Sequence, residues 1–466
     1  METEQNGAVG TPHKHKKKET GFTGQIGFVM AAAGSAVGVG NLWRFPYLAA
    51  QYGGGIFLFV YVILAFTFGF TLMVTEVAIG RKTGKSAISA FRSLDRRFGF
   101  VGILATIVPV IITPYYCVIG GWVTKYLAVY LSGAGQAASL DGYFGAFISQ
   151  PWQPLVWFFV FVIATSVIVV LGVEKGVEKA SKIMMPVLLV LSLVIAVYSC
   201  TRPGALGGIL YYIKPDFSRL SVKTVLAALG QLFYSMSLAM GIMITYGSYM
   251  PKETNLESSV RQIEFFDTLI AFLAGLMIIP AVFVFSGGDE SAMGAGAGLM
   301  FITLPKVFLS MPGGQFIGGL FFFLVLFAAL TSSISLMETI VSILMDKLGW
   351  NRLFATVSTM VFVLIAGIPS SLGFGIWSHI TPLGMDLLDF FDFVSNTVMM
   401  PIVSFLICFL AAYILKPDTI IKEAEANGAS FKSEKFYRIM IRYVAPIGII
   451  AIWVSSMAAG LGLFSW

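Results

Sequence analysis

The sequence predicts an all-α polytopic membrane protein with eleven transmembrane helices. Three observations predict it. The 466-residue chain is 57% hydrophobic and only 12% charged, about half the charge of a soluble domain. Its mean hydropathy is +0.85. Apolar runs of the ~20 residues needed to cross the hydrocarbon recur along its whole length.

The expected spans are residues 22–50, 54–80, 99–131, 155–172, 182–201, 222–250, 265–286, 315–346, 353–369, 386–415 and 440–464. Several exceed one perpendicular crossing, so they tilt or extend beyond the bilayer. Lys and Arg set the orientation. With the N-terminus inside, 23 of the 30 basic residues fall on cytoplasmic segments and six on outer ones. The six are Lys125, Arg202, Lys214, Arg219, Lys223 and Lys306, and Arg44 lies within a span. The net charge of +6 is thus a topology signal, and no nucleic-acid partner is implied. An odd number of spans puts the C-terminus outside, in a multi-pass protein of the cell membrane.

Residues 1–20 are polar, with a basic cluster at Lys14, Lys16, Lys17 and Lys18, and the first apolar run continues into a full span. No cleavable signal is expected. Cys117, Cys200 and Cys408 sit in or beside apolar runs and offer neither a disulfide framework nor metal-ligand spacing. Two of the three His lie in the N-terminal tail, and no nucleophile–base pair stands out, so an enzyme is not expected. The long outer connections are 202–221 and 287–314. The second, rich in Gly, packs as a plug or stays a flexible loop.

Three spans break the apolar pattern. The first contains Gly34-Ser35-Ala36-Val37-Gly38-Val39-Gly40-Asn41, with Arg44 just beyond. Each Gly weakens a helix by ~1 kcal/mol relative to Ala. Either Gly34 and Gly38 pack against a neighbouring helix, or the stretch unwinds and its free backbone groups bind ligands. The sixth contains Tyr234-Ser235-Met236-Ser237-Leu238-Ala239-Met240-Gly241. Its position matches that of the first if spans 1–5 and 6–10 are two repeats, and paired interruptions are the usual pointer to a transporter site. The eighth carries Ala328-Ala329-Leu330-Thr331-Ser332-Ser333, either interhelical glue or oxygen ligands for a hard cation. Intramembrane acids are Glu76, Asp267 and Asp346, with Asp386, Asp389 and Asp392 opening the tenth span. Each is a functional candidate, although Asp386 and Asp389 also suit a solvated helix N-terminus.

The thirteen residues Gly34 to Pro46, then Gly53-Gly54-Gly55, closely resemble the first-span motif of the neurotransmitter:sodium symporters. Ala-Leu-Thr-Ser-Ser at 329–333 is a second match, and the resemblance runs from about Phe22 to Trp466. It implies a leucine-transporter-like fold of two inverted five-helix repeats with broken first helices, in the shorter bacterial branch. The expected division is a tail 1–21, repeats 22–201 and 222–416, a loop 202–221, a cytoplasmic loop 417–439 and an eleventh helix 440–466.

The resemblance also implies a site. One sodium ion would meet the Ala36 carbonyl, Asn41, Ser235, Asp267 and the substrate carboxylate. A second would meet the carbonyls of Gly34, Val37 and Ala328 and the hydroxyls of Thr331 and Ser332. The substrate carboxylate would face amides around Gly38 and Gly40 and the Tyr116 hydroxyl. Its ammonium would face carbonyls of Ala36, Tyr234 and Ser237, and its side chain would lie among Val37, Ile112, Tyr234, Met240, Ser332 and Leu336. Arg44 and Asp392 resemble an outer gate pair under a Tyr116–Tyr234 lid. Asp346, Ser248 and Tyr249 resemble an inner gate. Gly176 and Pro186 resemble a device for unwinding the fifth span.

Three departures follow. Lys18-Glu19-Thr20-Gly21-Phe22 replaces the family's Arg and Trp, leaving the partner of Asp346 open. Asp267 replaces a frequent Asn, so a fixed carboxylate makes chloride unnecessary. Ala239 replaces a frequent Gly and disfavours bulky aromatic substrates. The expected activity is sodium symport of a neutral, aliphatic, small-to-medium L-amino acid, without an obligatory protein partner. A betaine, taurine or a GABA-like amino acid is the alternative.

Overall fold

The computed structural model describes residues 21–287 and 297–460. The basic cluster at 14–18, the stretch 288–296 and the last residues of the eleventh expected span lie outside them. The described residues form helices and turns, with no strand.

The first expected span is two helices, α1 (Gln25–Ala36) and α2 (Val39–Gln51), bent by 58°. The break falls at Val37 and Gly38, where the backbone is extended (Gly38 φ −114°, ψ −172°). Seven long apolar helices follow in chain order around a second break. They are α3 (Gly55–Thr83), α4 (Arg96–Leu131), α5 (Gln153–Val170) and α6 (Val173–Cys200), then α9 (Leu256–Phe285), α10 (Gly314–Leu348) and α11 (Arg352–Leu372). Two more, α12 (Leu387–Ile414) and α13 (Glu434–Ala458), end the chain. Between α6 and α9 the sixth expected span is also divided, into α7 (Val222–Ser235) and α8 (Ile242–Tyr249). A count of eleven therefore rests on taking α7 and α8 as one crossing.

The second break is built differently from the first. Ser237 (φ 53°), Ala239 (φ 61°) and Gly241 (φ 71°) alternate into the left-handed region. For the two non-glycines this costs ~1–2 kcal/mol each. Neighbours hold them there: Ala239 N–H donates to Glu76 Oε1 of α3 at 2.7 Å, and Ser237 Oγ donates to the Ser35 carbonyl at 3.0 Å.

Small residues let helices approach closely around the breaks. A Cβ added at Gly247 of α8 would lie 3.0 Å from Val77 Cα of α3, and one at Gly121 of α4 only 2.7 Å from Phe158 Cα of α5. The outward faces are apolar: Val190, Leu193, Val194 and Val197 of α6 are 45–59% exposed, as suits contact with lipid. The connection before α10 contains a helix, Leu299–Leu309, whose Phe301 is buried and stacks on Phe144 at 4.9 Å. This described part packs against the bundle, where its Phe301 finds aromatic partners, Trp122 among them.

Candidate functional site

The two breaks meet α10 at mid-molecule and wall a cavity with about 430 Å³ of atom-free space. Ala36, Gly38, Gly40, Asn41, Ile112, Tyr116, Tyr234, Ser235, Ser237, Met240, Ser332 and Leu336, all candidates from the sequence, border it. Val37 does not; it is fully buried within the break. Gly40 has no room for a side chain, since a Cβ there would collide with the Tyr234 ring. At Gly38 a Cβ would lie 2.9 Å from Ser332 Oγ and 3.2 Å from the Tyr116 hydroxyl oxygen.

Asp267 of α9 is fully buried and does not itself border this cavity, but bonds to Asn41 and Ser235, which do. Its Oδ1 accepts from Asn41 Nδ2 at 2.8 Å and Ser235 Oγ at 2.7 Å. Its Oδ2 accepts from the Tyr61 hydroxyl at 3.0 Å. Three donors on three different helices thus converge on one buried carboxylate. The cluster combines one carboxylate with the Ser235 and Tyr61 hydroxyl oxygens and the Asn41 amide, with no sulfur or imidazole, which fits a monovalent hard cation better than a soft metal. The second expected ion site lies apart from the cavity. A Cβ at Gly34 would lie 3.2 Å from Thr331 Cβ and 3.5 Å from Met185 Cγ, so the first span's backbone passes directly against Thr331. Thr331 Oγ1 donates to the carbonyls of Phe327 and Ala328 at 3.0 and 3.1 Å. Ser332 bridges the two regions: it borders the cavity and donates to the Ser35 carbonyl at 3.1 Å.

The gate candidates are arranged otherwise than expected. No ion pair joins Arg44 to Asp392 among the described residues. Arg44 lies over the Tyr234 ring, its guanidinium carbon 5.1 Å from the centroid, while Asp392 accepts from Tyr115 at 3.0 Å and Asn396 at 2.5 Å. Both residues line a vestibule with Trp43, Trp122, Phe374 and Asp389. At the opposite end, Asp346 accepts from Ser86 at 2.6 Å, and Ser248 donates to the Thr245 carbonyl at 2.6 Å. Neither bonds to Tyr249. Instead Tyr249 donates to Glu338 at 2.8 Å, and Arg352 grips the same carboxylate at 2.7 and 3.0 Å. Phe22 N–H donates to the Tyr249 carbonyl at 3.1 Å, with its ring edge-on to Tyr246 at 5.5 Å. Thr23 N–H donates to Glu178 at 2.8 Å, two residues past Gly176.

Sequence reasoning missed Tyr61, Ser35, Asn396, Glu338 and Arg352 as contributors. Glu338 carried a signal, being an acid inside an apolar span. Tyr61 and Ser35 carried none beyond an ordinary polar residue in a membrane helix.

A bundle of apolar helices, two of them broken around a cavity whose lining residues Asn41 and Ser235 bond to one buried carboxylate, has the form of a membrane transporter of small solutes. The sequence profile of the Sodium:neurotransmitter symporter family matches residues 19–134 and 148–461, and the chain belongs to that family. It is 34% identical to an uncharacterised sodium-dependent transporter of Bacillus subtilis, YhdH, over 94% of this chain and 98% of that one. It is 25% identical to the human sodium- and chloride-dependent GABA transporter 2, over 72% of this chain and 64% of that one. The crystal structure of MhsT in complex with L-phenylalanine superposes with a TM-score of 0.85, at 35% identity, covering 94% of this chain and all of that one.

Proposed function

We propose that the chain couples the inward movement of sodium to uptake of a neutral L-amino acid by alternating access. The observation that carries this reading is the buried Asp267 cluster at the junction of both breaks. A zwitterion at mid-membrane needs partners for both charges. Sodium held by Asn41, Ser235, Asp267 and the Ala36 carbonyl answers the carboxylate, together with the Tyr116 hydroxyl and the amides near Gly38 and Gly40. Carbonyls of Ala36, Tyr234 and Ser237 answer the ammonium. Without sodium the carboxylate loses part of its partner, and this is the coupling.

The second sodium, held by Gly34, Val37, Ala328, Thr331 and Ser332, ties the broken first span to α10. The Arg44 end is the outer one, with its gate pair apart, and the Tyr249–Glu338–Arg352 end is the closed inner one. Eleven crossings in two inverted five-helix repeats leave the N-terminus in the cytoplasm and the C-terminus outside. The fixed charge of Asp267 makes chloride unnecessary. Ile112, Met240 and Leu336 give the side-chain end an aliphatic wall, and Ala239, buried outside the lining, bears on it only through its neighbour Met240.

The test is sodium-driven uptake into vesicles with a panel of competitors. Leucine or valine as the tightest competitor supports the aliphatic reading. An aromatic substrate is the second reading, favoured by the phenylalanine bound in MhsT. Tryptophan or phenylalanine as the tightest competitor would establish it in place of the first.

A further inference from the structure

Asn396 borders the cavity from α12, four residues beyond Asp392. Its amide nitrogen is committed to the gate. Nδ2 donates to Asp392 Oδ1 at 2.5 Å and to the Tyr115 hydroxyl oxygen at 3.1 Å. A carboxylate only accepts, so turning the amide over would set oxygen against oxygen. The orientation of the amide is therefore fixed by Asp392, and Oδ1 is turned away from it. Oδ1 is buried and receives no hydrogen bond. Such atoms are rare in folded proteins and call for a partner.

The other polar side chains of the wall, apart from the Tyr234 hydroxyl, have theirs. Asn41 and Ser235 donate to Asp267, Ser237 and Ser332 donate to the Ser35 carbonyl, and Tyr116 accepts from Val39 N–H at 3.4 Å. Among the described residues bordering the cavity, Asn396 Oδ1 is the one buried side-chain polar atom left without a partner. Ile112, Met240, Ile242 and Leu336, which border the same space, supply no donor from their side chains.

We propose that Asn396 Oδ1 accepts a hydrogen bond from the side chain of the substrate. It thereby selects, among neutral amino acids, those with an O–H or N–H donor over isosteres that lack one. This rests on the amino-acid reading above and widens it beyond purely aliphatic side chains. The same amide holds the Asp392 carboxylate, so a donor on the substrate engages a residue already bonded to the gate.

Two isosteric pairs test it, threonine with valine for short reach and tyrosine with phenylalanine for long reach. Sodium-dependent binding of all four is measured on the purified full chain, in wild type, Asn396→Leu and Asn396→Ala. Loss of the Nδ2 bonds disturbs the gate for every substrate alike, so it cancels in the ratio within a pair. Expected is a preference of about tenfold for the donor-bearing member of at least one pair, the gain from one hydrogen bond. That preference falls to parity or reverses in both variants. The alanine variant keeps the test open should the leucine variant fail to fold. Ratios equal in wild type and variants overturn the inference, and Oδ1 is then filled by water or by Arg44 on gate closure. Absence of sodium-dependent binding for all four overturns the amino-acid reading as well.

Discussion

Asp267 shows how much one residue can organise. It is the shared acceptor of donors from α2, α3 and α7, so its loss strands Asn41, Ser235 and Tyr61 together. Asp267→Ala is expected to weaken sodium-dependent binding by at least the roughly tenfold to hundredfold typical of lost supporting contacts at an ion site. Sodium titration of substrate binding checks it, and an unchanged sodium dependence would refute the role. Gly38→Ala is a steric counterpart. Its methyl would press on Ser332 Oγ at 2.9 Å, so substrate affinity is expected to fall at least tenfold while the folded helices persist in circular dichroism. Both residues were legible in the sequence, because a charge or a run of glycines inside an apolar span has few neutral explanations. Asn396 and Tyr61 were not legible: their roles depend on which neighbour meets them.

At the scale of elements, the two broken spans differ in what holds them open. The first is broken by an extended Gly38, the second by left-handed Ser237 and Ala239 pinned through Ser35 and Glu76. Ala239→Gly removes a strained methyl. It is expected to stabilise the break by up to ~1 kcal/mol and to improve tryptophan binding relative to leucine in competition assays. A relative affinity unchanged by the substitution would show that the methyl does not bound the pocket. The Tyr249 end holds a different device, the buried Glu338–Arg352 pair. Arg352→Ala leaves Glu338 uncompensated, a loss of ~3–5 kcal/mol for such pairs. Hydrogen exchange at the Phe22 amide, which bonds to Tyr249, is expected to quicken; unaltered protection would separate that pair from closure. The sequence had pointed to Asp346 for this end. In the structure Asp346 accepts from Ser86, while Tyr249 donates to Glu338.

For the whole molecule, α3, the connection between α8 and α9, and the loop helix Pro417–Ala424 are tied together by Arg81, which bonds to Glu423 at 2.9 Å and to the Thr254 carbonyl at 2.8 Å. Lys252 adds a second cation on Glu423 at 3.0 Å. In the alternating access proposed above, elements cross-linked in this way are expected to move as a body. Concentrative uptake is accordingly expected to collapse when an ionophore dissipates the sodium gradient, and to persist when gluconate replaces chloride. Equilibration without accumulation would indicate a channel, and stimulation by chloride would remove the charge role given to Asp267.

Composition and order along the chain were enough to determine a helical membrane protein, where its apolar segments lie, and which spans are interrupted, although Val173–Cys200 and Leu256–Phe285 begin nine residues earlier than expected. Those properties are set by local free energies: burial of apolar side chains in lipid, and the weakness of a helix rich in glycine. The partners were decided only in three dimensions. Tyr61 on Asp267, Tyr115 on Asp392 and Ser86 on Asp346 each join segments far apart in sequence. A hydrogen bond needs its two atoms within about 3 Å along a definite direction, and no pattern in one strand of sequence fixes where a distant helix places its side chain.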